Sequence, residues 1–153
     1  MQDQLLETWR IHNRINLYLL AAINPEALAA CLTKKGRNVA DQFAHLHNVR
    51  LMWLSVAAPD LVVGLEKIEK GTLLSPTELE FALAASGEAM EKLLQRGIDT
   101  GKIKGFKPNV TAFLGYVISH ESHHRGQIML TLKLAGQMVD KKVQFGMWEW
   151  GTR

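Results

Sequence analysis

An all-α four-helix bundle is what this sequence predicts, and three observations predict it. Four long stretches carry apolar residues at helical spacing. Short loops marked by glycine, proline or asparagine separate them. No segment sustains the two-residue alternation of a half-buried strand. Four long amphipathic helices pack by default as a bundle, here with short extra helical turns and an aromatic C-terminal tail. A chain of 153 residues suits one domain with one core, so residues 1–153 are read as a single domain.

The first helix is expected over about residues 4–22. Leu5, Trp9, Ile15, Leu19 and Leu20 form its apolar side, and it ends before Asn24-Pro25. A short helical stretch over residues 25–32 follows, closed by the basic turn Lys34-Lys35-Gly36-Arg37. Asn38 can cap the second helix, and Asp41 in its first turn suits the exposed amides there. That helix runs to about Ala58 and stops at Pro59. His45, Val49, Met52 and Val56 follow one helical stripe, and Leu46, Val49 and Trp53 another, so the helix is predicted to be central. Residues 60–72 read as a connection with a turn or two of helix. Ser75-Pro76-Thr77-Glu78 then starts the third helix: serine caps, proline suits the first helical position, and the glutamate closes a capping box. This helix is expected to reach Arg96. A basic glycine-bearing loop over residues 97–107 leads to the fourth helix, which starts after Pro108-Asn109 and runs to about Ala135. Gly136 is its left-handed terminator.

Composition excludes several classes. With 47% hydrophobic and 22% charged residues the chain is an ordinary globular one. No apolar run approaches the ~20 residues that cross a bilayer, so no membrane partner is expected. The N-terminal residues lack a basic start followed by an apolar stretch, so no secretory signal is expected. The single cysteine, Cys31, cannot form an internal disulfide, which fits a cytoplasmic protein. The net charge is +3, but Lys34, Lys35, Arg37, Arg96, Lys107, Lys141 and Lys142 are scattered along the chain rather than gathered on one reading face. No nucleic-acid partner is expected.

Chemistry concentrates in the histidines. Five of the six lie in two windows, His45 with His47, and His120 with His123 and His124. On a helix His120 and His124 stand about 40° apart around the axis, so both imidazoles can face one ion. Neutral imidazole is a good ligand for zinc, nickel, iron or copper. A third ligand must come from another helix, and His45 and His47 are the candidates of the same kind. His120-Glu121-x-x-His124 formally fits the zincin pattern, with Glu121 as general base, but Gln127 and Leu130 replace the glycine and histidine of its extended form. The only downstream glutamate is Glu149. Glu121-x-x-His124 is also half of a di-iron carboxylate signature, which needs a second copy, and none is present. Ser119 and Ser122 flank the histidines without a serine-hydrolase elbow. Of the neighbours, Glu121 is expected to face solvent and His12 the surface. Trp53 is expected in the core, His123 beside the site or at an interface, and Gly126 where another helix approaches closely. Arg125 and Gln127 are expected to brace helices or a dimer.

The chain resembles the DinB/YfiT-like family. His120-x-x-x-His124-Arg125-Gly126-Gln127 matches the family's segment in the last long helix. Gln42-Phe-Ala-His45 followed by Trp53 and Leu54 resembles its second helix, and Trp148-Glu-Trp-Gly its ending. The resemblance covers nearly all of the chain. It implies a four-helix bundle, often a homodimer, with a three-histidine metal site. His45, His120 and His124 are its metal ligands, His45 being preferred over His47 because it stands at the matched position and in stripe with Val49, Met52 and Val56. The ion is a divalent metal: zinc, nickel, iron or manganese. Some members are thiol-dependent transferases or isomerases that use a low-molecular-weight thiol as co-substrate, and the family name comes from DNA-damage induction.

The expected function is therefore that of a metal-dependent enzyme acting on a small-molecule substrate or thiol, by transfer, isomerisation or hydrolysis. No catalytic residue beyond the ligands is assigned. The alternatives are a non-catalytic metal-binding or stress-response interaction protein and a zincin-like metallopeptidase. Apolar residues on several sides of the second helix (Phe43, Val49, Leu51, Met52, Leu54, Val56), with Phe145, Met147, Trp148 and Trp150 in the tail, exceed what one bundle hides. They predict a homodimer burying on the order of 1,200 Å² or more, the alternative being a tail that folds back over its own bundle and covers the excess.

Overall fold

Local capping chemistry sets where the helices begin. In the computed structural model, which describes residues 2–153, the helices are α1 (Gln2–Ala22), α2 (Val39–Ala57), α3 (Pro76–Thr100), α4 (Val110–Leu134) and the short α5 (Lys141–Gly146). Single 3-10 turns lie at Pro25–Ala29 and Pro59–Val62. Among the described residues there is no strand, only an isolated bridge between Cys31 and Asn38. Asn38 Oδ1 accepts from the Asp41 amide at 2.7 Å while Asp41 Oδ2 accepts from the Asn38 amide. Ser75 and Glu78 make the same reciprocal pair at the head of α3. Asn109 Oδ1 takes the Ala112 amide at 2.9 Å to start α4. Each cap satisfies amides that have no partner within the helix.

Two boundaries differ from expectation for a packing reason. α3 runs through Gly97 to Thr100. A Cβ on Gly97 would lie 2.5 Å from Ile103 Cδ1 and 3.2 Å from Val110 Cγ2, so this glycine admits the next loop and the start of α4 rather than ending a helix. The left-handed terminator is Gly101, at φ 77°. The tail was expected as an aromatic end with no helix of its own. Instead α5 docks on α1: a Cβ on Gly146 would meet Tyr18 Oη at 2.5 Å, and the Arg153 guanidinium stacks 4.1 Å over the Tyr18 ring.

The buried face of α2 is not the stripe of His45, Val49, Met52 and Val56. It runs through Val39, Phe43, Leu46, Arg50 and Leu54, while Met52 and Val56 are 51% and 45% exposed. Two apolar clusters fill the bundle. One gathers Ile15, Leu19, Phe43, Leu46, Leu83, Ile128 and Leu132. The other gathers Trp9, Leu54, Met90, Leu93, Phe113 and Val117. On each of the four long helices a buried polar residue falls between the two sets: His12 and Asn16 on α1, Arg50 on α2, Ser86 on α3 and Glu121 on α4.

These polar residues form one network centred on Glu121. Arg50 grips the carboxylate with both arms, Nε to Oε1 at 2.7 Å and Nη2 to Oε2 at 2.9 Å. Asn16 Nδ2 donates to Oε2 at 2.8 Å, and His12 Nε2 lies 2.8 Å from the same oxygen. Arg50 also donates to Leu83 O and Ser86 Oγ and lies 5.0 Å over the Trp9 ring. Burial pushes the Glu121 pKa up, but the Arg50 charge and hydrogen bonds outweigh it, so the carboxyl is held far below its ordinary range. Burial wins over Glu121 at His12, whose pKa is lowered; His12 is neutral and donates through Nε2.

Removing one partner of a buried, hydrogen-bonded charge pair costs ~3–5 kcal/mol, because the other charge is left uncompensated. Arg50→Met is therefore expected to destabilise the fold by about that amount in urea unfolding. An unfolding free energy within ~0.5 kcal/mol of the parent would show that Glu121 is held without it.

Candidate metal centre

His120 and His124 stand one turn apart on α4 and face His45 on α2. The ring centroids are 4.7 Å apart within the α4 pair, 5.3 Å from His45 to His120 and 4.5 Å from His45 to His124. One nitrogen from each ring can be chosen so that all three lie within 4.8 Å of one another. A triangle no larger than that has a centre about 2.8 Å or less from each corner, so small rotamer changes reach the ~2.0–2.1 Å of a zinc–imidazole bond. The cluster could hold a metal ion.

The donor chemistry fits as well. Burial, then the charges of Arg37 and His120, lowers the His45 pKa to about 4. Burial, then His45 and His120, lowers that of His124 to about 4. Burial lowers His120 too. Near neutral pH all three are in the uncharged form a metal requires. His124 Nδ1 donates to Gln42 Oε1 at 2.8 Å and to Gln127 Oε1 at 3.1 Å, which leaves the Nε2 lone pair free. Gln42 Nε2 donates in turn to Gln127 Oε1 at 3.1 Å. Such outer partners set the tautomer and ring orientation of a ligating histidine. Neither the His45 nor the His120 ring makes a hydrogen bond among the described residues. Next to His45 a cavity of about 190 Å³ is bordered by Arg37, Asp41, Asn48, Lys67 and Lys70.

His47, the other candidate on α2, is elsewhere. Its ring nitrogens face Glu66 O at 2.8 Å and Ala82 O at 3.1 Å, so it ties α2 to α3 and to the loop before it. His123 is exposed and sets its ring edge-on to His124, centroids 5.1 Å apart. Trp53 is packed by Phe106 and Phe113. Arg125 braces α1 through Asn16 Oδ1 at 2.7 Å, and Gln127 braces His124.

Three expectations are overturned. Glu121 is 1% and His12 0% exposed, rather than facing water: Arg50, Asn16 and His12 meet the carboxylate inside, and Glu121 in turn accepts from His12 Nε2. Glu121, committed to those partners, is not free to be the general base of the zincin pattern. Gly126 admits no helix: a Cβ there would meet nothing within 4 Å. One signal could have exposed the network. Arg50 stands at helical spacing between Leu46 and Leu54 on an otherwise apolar face, and a charge in that position needs a buried partner.

The DinB family model matches residues 1–141. The fold is similar to that of a DinB-like protein from Bacillus cereus ATCC 10987, with TM-score 0.70 and 21% identity over 90% of this chain and 95% of that one. It is also similar to the DinB-like protein YjoA of Bacillus subtilis, with TM-score 0.61 and 15% identity over 87% and 92% of the two chains. No curated protein matches the chain.

The depressed histidine pKa values predict acid lability of the metal-free protein. The unfolded chain takes up protons near pH 6.5, whereas His45 and His124 take them up only near about 4. Between those values the unfolded state binds more protons, so stability is full above pH 6.5 and falls as pH drops towards 4. The melting temperature of chelator-treated protein should decline through this window. The decline should be shallower in the double variant His45→Ala, His124→Ala, and equal slopes would refute the assignment.

Proposed function

The chain belongs to the DinB family, and from that premise we propose that it is a metal-dependent enzyme whose ion is held by His45, His120 and His124. The convergence of three uncharged imidazoles from two helices is the observation that carries this reading. The ion is zinc, nickel, iron or manganese. Three protein ligands leave a position open, and a bound ion would lower the pKa of a water or a thiol there. The reaction is transfer or isomerisation with a low-molecular-weight thiol as co-substrate, or hydrolysis.

The chain's own residues prepare that chemistry. Gln42 and Gln127 aim the His124 ring. The half-exposed position of His45 and His120 leaves the cluster open to a small molecule through the cavity beside His45. Among the described residues no helix is long and apolar enough to cross a membrane. We place the protein in the cytoplasm, where a thiol co-substrate stays reduced.

Metal-free protein should take up one equivalent of zinc or nickel in calorimetry. His124→Ala should lose stoichiometric binding yet keep its helical circular dichroism and cooperative melting, because the apolar clusters do not depend on the ion. Retained one-to-one binding would remove His124 from the site, and unfolding of the variant at room temperature would make the metal structural rather than catalytic.

We also propose a two-fold homodimer joined through Met52 and Val56 of α2 and Tyr116 of α4, which are 51%, 45% and 42% exposed. Phe43, Leu51 and Leu54 are buried within the chain and take no part. Light scattering at micromolar concentration should give twice the chain mass, and Met52→Glu should halve it. A one-chain mass that does not change on concentrating the protein would refute the dimer.

A further inference from the structure

We propose that the cavity between α4 and the C-terminal turn binds a small amphipathic acid, one carboxylate on an apolar body, at a site separate from the histidine cluster. The cavity measures about 470 Å³ and is lined by Met129, Met147, Trp148 and Trp150, with Arg125 and Ser122 among its polar groups. A mostly apolar concavity of this size with a few convergent polar groups is the usual form of a small-molecule site.

Arg125 decides the ligand's charge. The buried cation Arg50 has a carboxylate partner in Glu121, but Arg125 pairs with no carboxylate among the described residues. Its hydrogen bonds go to the neutral oxygens Asn16 Oδ1, at 2.7 Å, and Ser122 Oγ, at 3.2 Å. A guanidinium has five N–H donors in a planar fork matched to a carboxylate. Here a half-buried one, which feels the Glu121 charge at a distance but bonds no carboxylate, borders a cavity. The apolar walls select an acid with a hydrocarbon or aromatic body over a bare inorganic anion.

Gly126 keeps the cavity open. A Cβ there would meet nothing within 4 Å, so the glycine serves no helix contact; it forms part of the cavity lining. The site is distinct from the metal centre by helix geometry. Ser122, Arg125, Gly126 and Met129 centre about 170° around α4 from the mean direction of His120 and His124. The acid site therefore stands whether or not an ion fills the histidine cluster.

The test uses full-length, chelator-treated protein and a matched pair of probes, 4-phenylbutyrate and the neutral 4-phenylbutanol, titrated by calorimetry. The acid should bind about ten-fold more tightly than the alcohol. Arg125→Gln should erase that preference. Gly126→Leu, which adds a side chain in open space and improves helix propensity, should block both probes without lowering the melting temperature. His124→Ala should leave acid binding intact. Equal affinity for acid and alcohol, no binding of the acid at millimolar concentration, unchanged binding in Gly126→Leu, or loss of binding in His124→Ala would each overturn the proposal. If Arg125→Gln does not fold, the probe pair with Gly126→Leu decides alone.

Discussion

A carboxylate buried at the middle of a helix bundle is tolerable only when its charge and lone pairs are met, and Glu121 imposes that condition on every long helix around it. Arg50 from α2 and His12 and Asn16 from α1 meet it directly. Arg50 is in turn held by Leu83 O and Ser86 Oγ of α3. Apolar packing rewards many rotations of a helix almost equally, whereas a bidentate ion pair rewards one. The network therefore sets the rotation of α4 about its own axis. With Glu121 turned to α1 and α2, His120 and His124 face the edge of the bundle where His45 stands, and Arg125 and Gly126 border the cavity beside the C-terminal turn.

That rotation explains why the histidine cluster lies at an edge rather than in the core. His45, Val49, Met52 and Val56 share a face of α2 that is only half covered. A histidine on the buried face, His47, has both ring nitrogens turned to backbone carbonyls, one of which takes its N–H. One on the half-covered face keeps a lone pair and a path from solvent. Burial is still sufficient to hold His45 and His124 neutral, so the cluster combines ligand readiness with access. The glutamine pair Gln42 and Gln127 adds orientation at His124, whose ring they hold through Nδ1.

Much of this protein was determined by the sequence alone, because the physics involved is local. Helical periodicity, the reciprocal caps at Asn38 and Ser75 and the left-handed Gly136 specify the long helices. The four-residue spacing of His120 and His124 brings two imidazoles to one side of any α-helix. The tertiary structure decided what depends on partners far apart in the chain. Arg50 and Glu121 are 71 residues apart, and His12 and Glu121 are 109. No short window of sequence contains both members, so an isolated glutamate reads as a surface residue until its guanidinium is in place. Gly97 and Gly126 carry the same lesson in opposite senses. The first is an apparent loop residue packed inside a helix, and the second an apparent packing residue left over open space. A glycine's role is set by what lies beyond its missing side chain, and only the folded chain supplies that neighbour.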